Sequence, residues 1–368
     1  LLIGGATTSR VHTAVKIDPN YHRGQTVHVL DARRAVGVAS SLIGAGRDAY
    51  IAKVRDEYRK VVEGHSRTLA DKRRISLAEA RADRFVVDWK NYVPPKPTFL
   101  GARTFGNYSI AELIPYIDWT PFFQTWEMRG TFPLILDDAK LGAAARSLYA
   151  DAQNMLRQMV EENWLTANGV VGFWPANAEG DDIIVYGDET RREEQARFFT
   201  LRQQIARSAD NKRHHVALGD FIAPLGEGGP DYVGGFAVTA GIGEEAVAER
   251  FQRANDDYSK ILSQALADRL AEAFAERLHE RVRREFWGYG RTEELTPEDL
   301  IRERYAGIRP APGYPAQPDH TEKGTLFALL GAEAATGIKL TESYAMWPGS
   351  SVSGLYFSHP ESHYFGVG

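Results

Sequence analysis

The chain has 368 residues, 43% hydrophobic and 25% charged, the balance of an ordinary globular protein rather than a disordered or fibrous one. A net charge of -5 with a pI near 6.1 argues against nucleic acid as the main partner. The absence of cysteine excludes disulfides, thiol nucleophiles and cysteine-ligated zinc, and no apolar run reaches the roughly 18 residues of a membrane-spanning helix.

Residues 1–45 read as strand, helix, strand, helix. Leu1-Leu2-Ile3 has the pattern of a buried strand and runs into Gly4-Gly5, a glycine turn rather than a signal peptide. A chain that opens inside a strand reads as a piece of a longer protein. Residues 12–17 are helical in pattern, residues 26–30 alternate and are β-branched, and Asp31 is placed to cap a helix through Ile43. This is the pattern of the end of a doubly wound α/β domain, in which ligands meet the carboxyl ends of strands. Residues 46–75 differ. Residues 48–63 are helical in period and highly charged, and Lys72-Arg73-Arg74 follows. They read as a solvated linker helix and a basic connector too short to imply nucleic acid.

From residue 76 to 368 helices and strands come in blocks. Pro94-Pro95-Lys96-Pro97 makes a stiff loop. Helices are expected over 111–117, 141–164 and most of 244–287, where Leu262, Leu266, Leu270, Phe274, Leu278 and Val282 recur at four-residue spacing. Strands are expected over 170–173, 183–186, 216–218 and 232–238, and again within 343–367 around Pro348-Gly349-Ser350 and His359-Pro360. The order predicts an α+β domain with an antiparallel sheet.

Four segments carry candidate chemistry. In Arg309-Pro310-Ala311-Pro312-Gly313-Tyr314-Pro315 three prolines forbid helix and ladder pairing, leaving an extended backbone whose carbonyls and remaining amides face a ligand. Gly313 allows close approach, Tyr314 offers a ring and a hydroxyl, and Arg309 offers a fork suited to a carboxylate. The competing reading is a rigid surface loop. In Tyr116-Ile117-Asp118-Trp119-Thr120-Pro121-Phe122-Phe123 a single acid stands in an aromatic run, either as a ligand for an ammonium group or as a helix N-cap. Gly241-Ile242-Gly243-Glu244-Glu245-Ala246 imitates a dinucleotide fingerprint, but its two glutamates would repel a pyrophosphate. His359 and His363 have i, i+4 spacing in a turn, where hydrogen-bonding or surface roles are favoured over a metal. No residue is expected to be catalytic, and no metal site is expected.

Gly4-Gly5-Ala6-Thr7-Thr8-Ser9, residues 116–123, residues 265–283, Arg309-x-x-x-Gly313-Tyr314-Pro315, Leu340-Thr341-Glu342-Ser343 and Met346-Trp347-Pro348-Gly349 occur together and in this order. On these stretches the chain resembles the cobalamin-dependent methionine synthases along nearly its whole length. The resemblance implies a C-shaped α+β activation domain with a twisted antiparallel sheet over 76–368. A linker over 46–75 and the C-terminal remnant of a doubly wound, cobalamin-binding domain over 1–45 would precede it. It implies that S-adenosylmethionine is bound by Asp118, Glu272, Glu303, Arg309, Ala311, Tyr314, Tyr364 and Phe365. Arg309 would clamp the carboxylate and Asp118 the α-amino group. Phe365 departs from the family's usual tyrosine. Gly4, Gly5 and Ala32 match positions near bound cobalamin, whose cobalt-coordinating histidine lies upstream of this chain. The homocysteine and folate domains, with the homocysteine-site zinc, are likewise expected outside it, and the chain is expected to stop short of the family's usual C-terminus. The implied partners are the cobalamin domain of the same protein and a flavodoxin-type electron donor. A cytoplasmic monomer is expected. The alternative reading is a module that senses S-adenosylmethionine or docks a flavoprotein without presenting a methyl group. By pattern alone Glu272 faces solvent, because it lies about 200° around the helix from Leu270 and Phe274.

Overall fold

Two apolar runs organise the larger part of the molecule, and their alternation decides which layer covers each face of the sheet. The computed structural model describes residues 1–4, 9–29, 32–71, 74–207 and 214–368. The chain divides into two units, Leu1–Ile75 with Ile205–Asn211, and Ser76–Gln204 with Lys212–Gly368.

In the first unit β1 (Leu2–Gly4) pairs in parallel with β2 (Val27–Val29). Between them α1 (Arg10–His12), whose His12 amide donates to the Ser9 hydroxyl, widens into a π-turn over Thr13–Ile17. Then come α2 (Ala32–Ile43) and the 25-residue α3 (Arg47–Asp71). A solvated linker helix was expected here, but α3 carries part of a small core: Val54 and Tyr58 bury with Ala14, Val27 and Val29, and the Tyr58 hydroxyl accepts from the His28 amide at 2.8 Å. The charged residues mask this stripe, which needs only a few apolar positions on one face. The expected Asp31 cap, Gly5, Lys72 and Arg73 lie outside the described residues.

The second unit is α+β. After α4 (Leu77–Ala82), closed by a Ser76–Glu79 capping box, come β3 (Gly101–Tyr108), α5 (Ile110–Leu113), α6 (Trp119–Thr125) and α7 (Gly142–Glu161). Next are β4 (Thr166–Glu179), β5 (Asp182–Tyr186), β6 (Glu194–Phe198) and β7 (Asp231–Ile242). The remainder is α8 (Glu244–Arg253), α9 (Asp257–Arg281), α10 (Pro297–Ile301), α11 (Glu322–Leu330), α12 (Ala332–Thr336), the short pair β8 (Lys339–Leu340) and β9 (Met346–Trp347), and β10 (Ser351–Tyr356). The main sheet is antiparallel, in the order β10-β7-β4-β5-β6, with β3 also on β4.

Period-two alternation sends Val171, Phe173, Phe236 and Val238 to one face, against α5, α6, α7 and α9. Val170, Trp174, Val233 and Ala237 go to the other, against Leu326, Phe327 and Leu330 of α11 and Ala332 of α12. Both faces are dry, so β4 and β7 read as continuous apolar runs. Helix α9 is buried almost all round: Leu262, Leu266, Leu270, Phe274, Leu278 and Val282 form its stripe, and alanines 265, 267, 271, 273 and 275 let neighbours approach its other sides. The strand expected over 216–218 is not formed. A 3-10 turn over Leu218–Phe221 takes its place, because Asp220 accepts from the Ala217 amide and grips Arg202, turning the chain there. No helix among the described residues is long and apolar enough to cross a membrane.

Candidate functional site

The segment around Arg309 is held along the end of β10. The Ile308 amide donates to the Phe357 carbonyl at 3.1 Å, the Phe357 amide returns a bond at 3.0 Å, and the Leu355 amide donates to the Pro310 carbonyl at 2.8 Å. Proline lacks a donor but keeps its acceptor, so the expectation that this loop cannot pair with a strand holds only for its amides. Ile308 and Pro310 turn inward, leaving Arg309 between them to face the other way. A side chain at Gly354 would place Cβ 2.9 Å from the Pro310 carbonyl oxygen.

Beyond Pro310 the chain turns sharply. The Gly313 amide donates to the Gln317 carbonyl at 2.7 Å and the Tyr314 amide to the Ala311 carbonyl at 3.1 Å. These amides were expected to face a ligand, but the turn consumes them; of the loop's amides only that of Ala311 has no acceptor among the described residues. Gly313 has φ +98°, and a Cβ there would lie 2.3 Å from the His320 ring, so glycine is required twice over. Tyr314 stands out from this turn, 61% exposed.

Three other elements close the site. The segment over 363–368 runs back along the loop: the Val367 amide donates to the Pro315 carbonyl at 2.9 Å, and Gln203 Nε2 to the Gly366 carbonyl at 2.7 Å. This places the Tyr364 hydroxyl 3.0 Å from the Arg309 amide, from which it accepts, and 3.0 Å from the Tyr305 hydroxyl. Helix α9 contributes Glu272 and, one turn on, Glu276. Asp118 caps α6, accepting from the Thr120 amide at 2.9 Å, and also lines the groove, so its two expected roles do not compete.

The result is a groove with two lobes of about 260 and 360 Å³. Asp118 lines the first lobe; Ala311, Tyr314, Tyr364 and Phe365 line the second; Glu272, Glu303 and Arg309 line both. All eight residues expected at a ligand site therefore meet in one place. Glu272, expected from pattern alone to face solvent, is half-buried at the groove wall, one turn beyond the exposed Asp268. Glu303, at φ +54°, follows α10.

Sequence reasoning missed the residues beneath the groove. Arg309 Nη1 donates to Glu276 Oε2 at 2.8 Å, with the side chains 19% and 12% exposed. Arg283 Nη1 lies 3.9 Å from Glu276 Oε1, and its Nε donates to Glu293 at 2.9 Å. Below them His279 is fully buried, stacked 5.2 Å from Tyr356, with Nε2 3.2 Å from the Tyr289 hydroxyl. The available signal was a glutamate four residues after Glu272, hence on the same face of the helix.

Burial alone would push the Arg309 guanidinium down, but the Glu276 carboxylate and the Tyr305 and Tyr364 hydroxyls hold it well above its ordinary value. Burial raises the Glu303 carboxyl against the opposing pull of Arg309. It raises the Tyr364 hydroxyl and pushes His279 well below the usual imidazole range. Four carboxylates, Asp118, Glu272, Glu276 and Glu303, share the groove with the guanidinium groups of Arg269 and Arg309. That balance suits a ligand with one carboxylate and a positive net charge.

The remaining candidates lie elsewhere. Gly243 follows β7 at φ +100°, and the Glu244 carboxylate accepts from the Ser350 hydroxyl at 2.7 Å. His359 packs between Trp89 and Tyr92 at 4.9 and 4.4 Å, while His363 meets the rings of Phe85 and Phe221. Among the described residues no cluster could hold a metal ion. Gly4 ends β1 and Ala32 begins α2.

The chain is similar to a crystal structure of the MetH reactivation domain bound to AdoHcy, with 52% identity and a TM-score of 0.77, over 80% of this chain and 89% of that one. Residues 109–368, which hold every wall of the groove, match the family described as vitamin B12 dependent methionine synthase, activation domain, and the chain belongs to that family.

Proposed function

We propose that this chain is the reactivation module of a cobalamin-dependent methionine synthase, binding S-adenosylmethionine in the Arg309 groove for the reductive methylation of cob(II)alamin. In this reading the parent enzyme moves a methyl group from 5-methyltetrahydrofolate to homocysteine in the cytoplasm, and a flavodoxin-type protein supplies the electron. Residues 1–45 are the end of the cobalamin-binding domain, with Gly4, Gly5 and Ala32 on its ligand side, and residues from 76 onward form the activation domain. The observation that carries the reading is the convergence of all eight expected residues on one groove in a chain 52% identical to a reactivation domain that holds AdoHcy, the demethylated form of the proposed ligand.

S-adenosylmethionine would supply the methyl group on a sulfonium, already a good electrophile. The protein's work is then orientation. Arg309 would take the carboxylate in charge-assisted hydrogen bonds and Asp118 the ammonium group, fixing the two ends of the amino acid. Tyr314 and Tyr364 would wall the ligand, and the Ala311 amide would donate to it. No side chain has to move a proton. Calorimetric titration with S-adenosylmethionine tests the site. Saturable binding is expected, and Arg309→Ala should weaken it by about 2–4 kcal/mol. A folded chain that takes up no ligand, or an unchanged affinity in the variant, refutes the assignment. Methylation of an added cobalamin domain, assayed with a reductant, tests the transfer itself.

A further inference from the structure

We infer that Glu276 is a positioning residue for ligand recognition: it holds the Arg309 guanidinium at the angle from which its remaining N–H groups meet the ligand carboxylate. The inference rests on the S-adenosylmethionine reading and extends it to a residue that touches Arg309 rather than the ligand.

Three observations carry it. First, Glu276 engages Arg309 through Nη1 alone, at 2.8 Å. A guanidinium has five donors in a rigid plane, so fixing one edge sets the direction of the rest. Second, Glu276 is carried on a buried helix and faces a second cation. It sits one helical turn from the groove-lining Glu272, with the Arg283 guanidinium 3.9 Å from its other oxygen. That oxygen and Arg283 Nη1 are both buried without a hydrogen-bond partner, and a small closure would pair them. Third, the backbone of Arg309 is pinned separately, by the Tyr364 hydroxyl at its amide and by the flanking bonds to β10. Main chain and side chain are thus held by different groups, and among the described residues Glu276 alone hydrogen-bonds to the guanidinium. Glu276 lines the first lobe beside Asp118, and its bond to Nη1 ties it to the arginine side chain.

The test uses the full chain, two ligands and two variants. S-adenosylhomocysteine carries the carboxylate; its decarboxylated analogue keeps the adenosine, thioether and amine. Titrations are made on wild type, Glu276→Ala and Glu276→Gln, each confirmed as folded by circular dichroism. Glu276→Ala should weaken S-adenosylhomocysteine at least 10-fold and change the decarboxylated analogue less than about 2-fold. Glu276→Gln, which can still accept a bond from Nη1, should recover part of the loss. Equal losses for both ligands would make Glu276 merely structural and overturn the inference. Unchanged or tighter binding of S-adenosylhomocysteine in Glu276→Ala would also overturn it, by showing that Glu276 competes for Arg309. A wild-type chain that binds neither ligand would instead sink the proposed function.

Discussion

Replacing Arg309 by methionine separates what the arginine does for binding from what it does for the fold. Two opposite charges about 4 Å apart attract by about 4 kcal/mol at an effective dielectric constant near 20. The Arg309 and Glu276 side chains are only 19% and 12% exposed, so desolvation offsets most of that gain, and the pair contributes little net stability. Removing one partner is different, because it strands a buried carboxylate at a typical cost of about 3–5 kcal/mol. Arg283 lies 3.9 Å from Glu276 and remains to share the charge, which puts Arg309→Met near the lower end, about 3 kcal/mol. The double variant Arg309→Met/Glu276→Leu removes both charges and should return to within about 1 kcal/mol of wild type while still failing to bind ligand. Urea unfolding followed by tryptophan fluorescence suits the measurement, since all seven tryptophans lie between residues 89 and 347, in the second unit. Stability losses that simply add in the double variant, or an Arg309→Met chain as stable as wild type, would refute the reasoning.

Tyr364→Phe deletes the hydroxyl between Arg309 and Tyr305 and should raise the dissociation constant about 5-fold, for roughly 1 kcal/mol of hydrogen bonding; calorimetry with an unchanged value would leave only the ring at work. Glu303→Gln removes a negative charge from the groove. It should weaken S-adenosylmethionine, which carries one more positive charge, more than S-adenosylhomocysteine, as the ratio of the two affinities will read. His359, 3% exposed, is pushed down to about 4 by burial. A base depressed on folding gives stability that is present above its unfolded value near 6.5 and lost as pH falls toward 4, here up to about 3 kcal/mol. Denaturation midpoints of His359→Gln should accordingly depend less on pH across that window than those of wild type. Leu270→Ala, at a position with no exposure, should cost about 3–5 kcal/mol in the same denaturation assay.

The sheet's central strands were legible in the sequence because both their faces are dry, which writes them as apolar runs such as Val170-Val171-Gly172-Phe173. Strand β3 was not. It begins Gly101-Ala102 and contains Gly106-Asn107, and its side chains are mostly exposed, so no alternation marks it. At the groove, Arg309 and Asp118 each stood out in its own segment, and the structure brings the two to one lobe. Glu272 and Glu276 were hidden for a different reason: a helix buried on nearly every side has little solvent face against which a carboxylate can be called misplaced. The Arg309 loop was read as extended and unpaired, because counting prolines counts missing donors and says nothing of acceptors or turns.

The segment over 363–368 couples the loop to a stretch of chain far from it in sequence. It forms no strand or helix, and it is tied down by Tyr364 on Arg309, by Val367 on Pro315 and by Gly366 on Gln203. Two of those ties anchor to the loop that walls the groove. Releasing this segment would break two bonds to the groove wall, so under the proposed function a bound ligand would hold the segment in place by mass action.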